Sequence, residues 1–202
     1  MTPFSVAKRV AVLISGRGSN LGALIAAQDA SYKIILVISN VEGAGGLEKA
    51  QRSGIATTVI SHAGKTREAF DAEMDAALRA AGADLVVLAG FMRILSDGFV
   101  RGWQGRLINI HPSLLPAYKG TRVHERVIAA KETVSGASVH FVVPELDAGP
   151  VIAQASVPVT PSDTPEALGE RVLTVEHKLY PEALRLLASE KVKLENGLAV
   201  FS

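Results

Sequence analysis

The 202-residue chain has no cysteine. That excludes disulfides, thiolate nucleophiles and thiolate metal sites, and it fits a reducing compartment. Neither sign of charge is in excess. The 21 basic and 20 acidic residues leave a formal charge of +1, so no polybasic face is implied and nucleic acid is not an expected partner. A small anionic substrate needs only a local positive site. Long apolar runs are missing too. The segment Val10 to Ser15 is too short for a membrane span. Lys8-Arg9 before it imitates the basic start of a secretory signal, but Gly and Asn soon interrupt the apolar stretch and no small-residue cleavage site appears. The expected location is cytoplasmic, without a membrane partner. No repeat or low-complexity linker divides the chain, and no short-spaced histidine pair suggests a metal.

What is present has ordinary globular proportions, 48% hydrophobic and 20% charged. Apolar runs at Arg9 to Ser15, Ile34 to Ser39, Thr57 to Ile60, Asp84 to Ala89 and Leu107 to Ile110 read as strands. Helical patterns separate them at Leu21 to Ala30, Gly45 to Ser53 and Thr66 to Ala80. Strands that are apolar without clean alternation indicate parallel strands covered on both faces. After Pro112 the grammar changes. A loop through Gly120 leads to a short helix near Val123, then Ser135 to Val143 and Val151 to Val159 alternate, as expected of a long hairpin. Thr164 and Pro165 open a last helix running to about Ser189, with Pro181 expected to bend or interrupt it. A small hairpin turns at Asn196-Gly197. The fold class is therefore α/β: an open, mostly parallel twisted sheet, helices on both faces, antiparallel strands in the C-terminal part.

Gly16-Arg17-Gly18-Ser19-Asn20 lies between the first strand and the first helix. Glycines there let backbone N–H groups approach an anion at a helix start. The loop lacks the Gly-Lys-Ser/Thr of a Walker loop. It is also a poor dinucleotide fingerprint, because Ser39-Asn40 stand where an acidic residue would end the second strand. One monophosphate is the expected ligand; a tight turn without ligand is the plain alternative.

Asn109 and His111, two apart on a strand end, point to one side, and the Gly/Pro-flanked loop Glu145 to Pro150 can return Asp147 to them. An amide donating to a developing oxyanion, an imidazole moving a proton and a carboxylate orienting that ring suit attack of an amine or water on a carbonyl. Each has an ordinary reading as well: strand cap, structural hydrogen-bonder, turn former. His111, His124 and His140 with Asp147 could by composition hold a metal, but their spacing does not favour one. Arg93 beyond the fourth strand suits an anionic or heteroaromatic ligand, or a salt bridge. Helical periodicity places Glu176 and His177 towards solvent.

The runs Val12 to Leu21, Leu88 to Leu95, Asn109 to Pro116, Gly136 to Phe141 and Glu145 to Pro150 together resemble the phosphoribosylglycinamide formyltransferases, from about Arg9 to Lys193. The resemblance implies a formyltransferase fold with a Rossmann-like first half. It implies a single domain over residues 1–202, with a phosphate-binding half at 1–108 and a catalytic, folate-binding half at 109–202. The implied reaction moves a formyl group from 10-formyltetrahydrofolate to the amine of glycinamide ribonucleotide in purine synthesis, with no metal. By the same resemblance Asn109, His111 and Asp147 are catalytic, and Gly16, Arg17, Gly18, Ser19 and Asn20 hold the substrate phosphate. Pro112 and Glu176 contact the ribonucleotide, which overrides the solvent-facing reading of Glu176. Phe91, Met92, Arg93, Ile94 and Leu95 line one side of the folate site; Val142, Val143, Pro144, Glu145, Leu146 and Asp147 line the other. Lys65, His124 and His140 are candidate supporting groups, and a monomer or homodimer is expected.

One stretch departs from the commonest family wording: Lys119 stands where proline is frequent and Thr121-Arg122-Val123 where Leu-His-Thr is. That loop is expected to be mobile and to close over substrate, its basic pair either solvated or meeting the folate tail. Two relatives with a similar centre are alternatives. A 10-formyltetrahydrofolate hydrolase usually carries an N-terminal regulatory domain, and methionyl-tRNA formyltransferase a C-terminal nucleic-acid-binding one; neither is expected here. A noncatalytic sensor would tolerate loss of one of the three catalytic residues, all of which are present.

Overall fold

The computed structural model describes residues 6–202. Its elements run β1 (Lys8–Ile14), α1 (Ser19–Ala26), β2 (Tyr32–Ser39), α2 (Gly45–Arg52), β3 (Ala56–Val59), α3 (Arg67–Ala80), β4 (Leu85–Leu88), α4 (Asp97–Gly102) and β5 (Leu107–His111). After these come α5 (Val123–Ala129), β6 (Val134–Phe141), β7 (Val151–Pro158), α6 (Pro165–Ala188), β8 (Val192–Glu195) and β9 (Leu198–Phe201). Seven strands form one sheet in the order β3-β2-β1-β4-β5-β6-β7; β8 and β9 pair separately. The first five are mutually parallel, and β6 runs antiparallel to both β5 and β7.

Alternate residues of each strand feed two cores. Val10, Val12, Ile14, Val87, Ile108 and Ile110 pack with Leu21 and Leu24 of α1, Leu47 of α2, Val127 of α5 and Leu168, Val172 and Leu184 of α6. Ala11, Leu13, Ile38, Val86, Leu88 and Leu107 face the other way, onto Phe70, Met74 and Leu78 of α3 and Phe99 and Val100 of α4. Burial on both faces explains why these strands read as unbroken apolar runs. It also corrects the alternation expected in β6. Ser135 through Phe141 are all buried, because α6 packs over the sheet here while Ser138 lies under the loop after β5.

Several boundaries shift. α1 ends at Ala26, four residues early, and β6 stops at Phe141 because the chain turns away towards Pro144. α6 continues past Pro181 without interruption, its first turn capped by Thr164 Oγ1 accepting from Ala167 N–H at 3.2 Å. The six-residue α4 was not anticipated. It is too short for a period, and its only local signal is the cap, in which Ser96 Oγ accepts from Phe99 N–H. The last turn has Asn196 and Gly197 at φ 49° and 78°, as an Asn-Gly hairpin requires.

The chain leaves β1 towards β2 and β3, then returns to place β4 on β1's other side. This reversal opens a crevice beyond the carboxyl ends of β1 and β4, the usual ligand position in open α/β sheets.

Candidate active site

The glycine loop lies on one side of that crevice. Gly18 has φ +66° and is the N-cap of α1, with no side chain capping the helix. A Cβ there would sit 2.6 Å from Gly46 Cα, and Gly46 N–H donates to Gly16 O at 3.1 Å. The loop is thus pressed against the start of α2, which is also uncapped by any side chain. Uncapped helix starts leave N–H groups free for an anion. Asn20 is committed elsewhere: its Nδ2 donates to Glu176 Oε2 at 2.7 Å, and both residues are buried. Burial pushes the Glu176 carboxyl pKa up, and the bond from Asn20 opposes that rise. Periodicity alone points Glu176 towards solvent; it faces inward because α6 packs on α1.

The second group lies at the end of β5. Leu107, Asn109 and His111 share a face, opposite Ile108 and Ile110. His111 is 5% exposed. Its Nδ1 is 3.4 Å from Asp147 Oδ2, and its Nε2 is 2.9 Å from Tyr118 O, so both nitrogens face acceptors. Asp147 has φ +48°, and its Oδ2 accepts from Gly120 N–H at 2.8 Å. His140, antiparallel to Asn109 across the β5–β6 ladder, completes the cluster. Its Nδ1 lies 2.8 Å from Phe141 O, so that nitrogen carries the proton. Nε2 is then free to accept from Asn109 Nδ2 at 3.3 Å, and Asp147 Oδ1 is 3.7 Å away. Burial, the largest influence, lowers the His140 pKa and keeps the ring neutral for this role. One hydrogen of the Asn109 amide is therefore held, and the other is left for a ligand.

A cavity of about 640 Å³ opens beside these groups. Phe91, Met92, Arg93, Ile94 and Leu95 line one side; Val142, Val143, Pro144, Leu146 and Asp147 line the other, with Asn109, His111, Pro112, His124 and His140 also in its wall. Its apolar walls and few convergent polar groups suit a small-molecule ligand. Gly16 to Asn20 and Glu176 lie outside it, and so do two of the residues anticipated on the folate side or in support, Glu145 and Lys65. Glu145 is exposed and accepts from Lys119 Nζ at 3.3 Å, and Lys65 is held by Glu73 at 2.5 Å. In the departing loop Arg126 donates to Lys119 O at 2.6 Å, and Arg122 pairs with Glu125. Its basic pair is therefore engaged by carboxylates. Among the described residues, no group of His, Cys, Asp or Glu could hold a metal.

Sequence reasoning missed the groups that support the site. Ser138 Oγ donates to Ser113 O at 2.6 Å and accepts from Leu115 N–H at 3.0 Å, holding the turn after β5 against β6. Tyr180 Oη of α6 reaches Leu88 O at 2.8 Å and Ile108 O at 3.2 Å, just short of the two strand ends that carry the site. A tyrosine within an apolar helical stripe gives no sign of such a contact.

An open α/β sheet with a glycine loop at its switch point and an amide–imidazole–carboxylate cluster at a nearby strand end has the groups that suit an enzyme of carbonyl chemistry. The chain belongs to the formyl transferase family, whose sequence model matches residues 8–184. It is 46% identical over 194 residues to the phosphoribosylglycinamide formyltransferase of Escherichia coli strain K12, covering 94% of this chain and 92% of that one. The structure of a phosphoribosylglycinamide formyltransferase from Coxiella burnetii superposes with a TM-score of 0.92 at 45% identity, covering 96% of this chain and 93% of that one. The trifunctional purine biosynthetic protein adenosine-3 of Bos taurus is 53% identical over 194 residues, 94% of this chain. The chain spans 19% of that relative's length.

Proposed function

We propose that this chain transfers the formyl group of 10-formyltetrahydrofolate to the primary amine of N1-(5-phospho-D-ribosyl)glycinamide, a step of purine synthesis. The convergence of Asn109, His111 and Asp147 in the wall of the apolar cavity carries this reading. Likeness over nearly the whole length of the bacterial enzymes supports the substrate assignment.

In this reading residues 1–202 are one domain. The half at 1–108 supplies the phosphate loop, Gly16 to Asn20, and the half at 109–202 the catalytic groups; the folate is held between Phe91 to Leu95 and Val142 to Asp147. Glu176 meets the ribose or a neighbouring hydroxyl group, and Pro112 also contacts the ribonucleotide. The neutral amine attacks the formyl carbon, and the oxyanion takes the free Asn109 hydrogen and a hydrogen from His111. The His111 Nε2–H bond is occupied by Tyr118 O in this structure, so that carbonyl must yield its place to the formyl oxygen. Asp147 supports the imidazolium and orders a proton-relaying water, and protonated tetrahydrofolate nitrogen leaves. Holding both reactants at one strand end supplies much of the rate. The reaction calls for no metal. Among the described residues no helix is long and apolar enough to cross a membrane; a cytoplasmic monomer or homodimer completes the proposal.

The test is tetrahydrofolate release from a 10-formylfolate donor, with and without the ribonucleotide, alongside mass detection of the formylated amine. Release that needs the ribonucleotide, matches product and disappears in His111→Ala is expected. Equal release without it, yielding formate, would make the protein a hydrolase.

A further inference from the structure

The two substrate sites of the proposed reaction meet at one side chain. Ser15 follows β1 and precedes the glycine loop; Gly90 to Met92 follow the neighbouring strand β4 and form part of the cavity wall. Ser15 N–H donates to Gly90 O at 3.1 Å, and Met92 N–H donates to Ser15 Oγ at 2.8 Å. The hydroxyl hydrogen goes to Asn40 Oδ1 at 2.6 Å. Asn40 is buried, and its Nδ2 lies 3.2 Å from His62 Nδ1. His62 meets the ring of Phe70 edge-on at 6.1 Å, and Phe70 stacks at 6.4 Å on Phe91, next to Met92. The contacts close on themselves: hydroxyl, carboxamide, imidazole, two phenyl rings, and back to the hydroxyl through Met92 N–H.

This ring spans the switch point, where the connections after β1 and β4 leave towards opposite faces of the sheet. One side chain thereby fixes the start of the anion loop relative to the wall of the folate cavity. We propose that Ser15 is a positioning residue that couples the two sites: a ligand ordering the anion loop orders the Gly90–Met92 turn through the Ser15 hydroxyl, and folate then binds at lower entropic cost. The coupling is positive in sign and equal in both directions, since the second ligand meets a turn already ordered. The proposal rests on the two-substrate reading above.

The measurement is calorimetric binding of 5,8-dideazafolate, which has no formyl group to transfer, with and without saturating glycinamide ribonucleotide. In the wild type the ribonucleotide tightens the analogue about fivefold or more, the lower end of ordinary coupling. Ser15→Ala reduces that gain to less than about twofold while binding each ligand singly; Ser15→Thr, which keeps a hydroxyl, retains it. Hydrogen exchange supplies a second readout. The ribonucleotide alone slows exchange at Met92 in the wild type and leaves it unchanged in Ser15→Ala. Asn40→Ala, which removes the acceptor and leaves Ser15 in place, gives the same loss and serves if Ser15→Ala does not fold. A gain at the wild-type level in either folded variant overturns the proposal, as does its absence in a wild type that binds both ligands singly. Failure of the wild type to bind either ligand alone would instead refute the two-substrate reading itself.

Discussion

Gly18→Ala tests whether the anion loop depends on its contact with α2. Gly18 sits at φ +66°, where an L residue costs about 1–2 kcal/mol. The new Cβ would also lie 2.6 Å from Gly46 Cα and 3.4 Å from Gly46 N, both backbone atoms that cannot rotate away. Overpacking of this kind adds about 1–3 kcal/mol. Together the two terms, about 2–5 kcal/mol, lower the melting temperature by roughly 4–20 °C, at about 2–4 °C per kcal/mol for a domain of this size. Relief of the overlap needs the loop to move by about 1 Å, a misplacement that costs on the order of 100-fold in kcat/KM. The assay is thermal melting together with steady-state kinetics in each substrate. The loss should fall mainly on the ribonucleotide, with a smaller rise in the KM for folate transmitted through the Ser15 contact with Met92. Gly16→Ala is the folding control, since a Cβ there meets nothing within 4 Å and φ is not positive. A Gly18→Ala protein that melts with the wild type and keeps its KM for the ribonucleotide would refute the argument that this contact shapes the site.

Asp147→Asn keeps an acceptor for Gly120 N–H but removes the charge facing His111 and His140; kcat should fall about 10²- to 10⁴-fold with little change in either KM, read by single-turnover kinetics. Burial pushes the Glu176 carboxyl pKa up, so its stability contribution is present at low pH and lost as pH rises through the folded value. Glu176→Gln should therefore melt above the wild type at pH 8, by less at pH 5, while KM for the ribonucleotide rises. His124, His140 and His177 all have pKa values lowered chiefly by burial, so their contribution is present above about 6.5 and lost as pH falls through the folded values. Melting temperature should drop between pH 7 and 5, and His140→Asn should flatten part of that slope; an unchanged slope would remove His140 from the account. Tyr180→Phe strips a donor from Leu88 O and Ile108 O and should cost about 1–3 kcal/mol in urea unfolding.

The parallel strands were legible because burial on both faces writes itself as continuous Val, Ile and Leu, and the terminal helix because Thr164-Pro165 is a start signal in itself. Asn109 and His111 were legible as a pair because strand geometry puts residues two apart on one side. α4 was not, being shorter than two turns. Neither was the inward orientation of Glu176, since a helix face is assigned by what packs against it and α1 lies more than a hundred residues earlier. His140 and Asp147 were named, but their distances and the Asn109 hydrogen bond were not readable from spacing.

By itself the sequence determined the layered α/β class, the glycine turn at the first strand end, and an amide, an imidazole and a carboxylate available for carbonyl chemistry. These come from local rules of periodicity, conformational freedom and side-chain chemistry, each acting over a few residues. Only the tertiary structure decided which of those groups meet. The reversal of strand order brings Ser15 to Gly90, the antiparallel turn of β6 sets His140 beside Asn109, and the loop from β6 to β7 carries Asp147 to His111. Those approaches join segments tens of residues apart, where packing and not local propensity sets the distance.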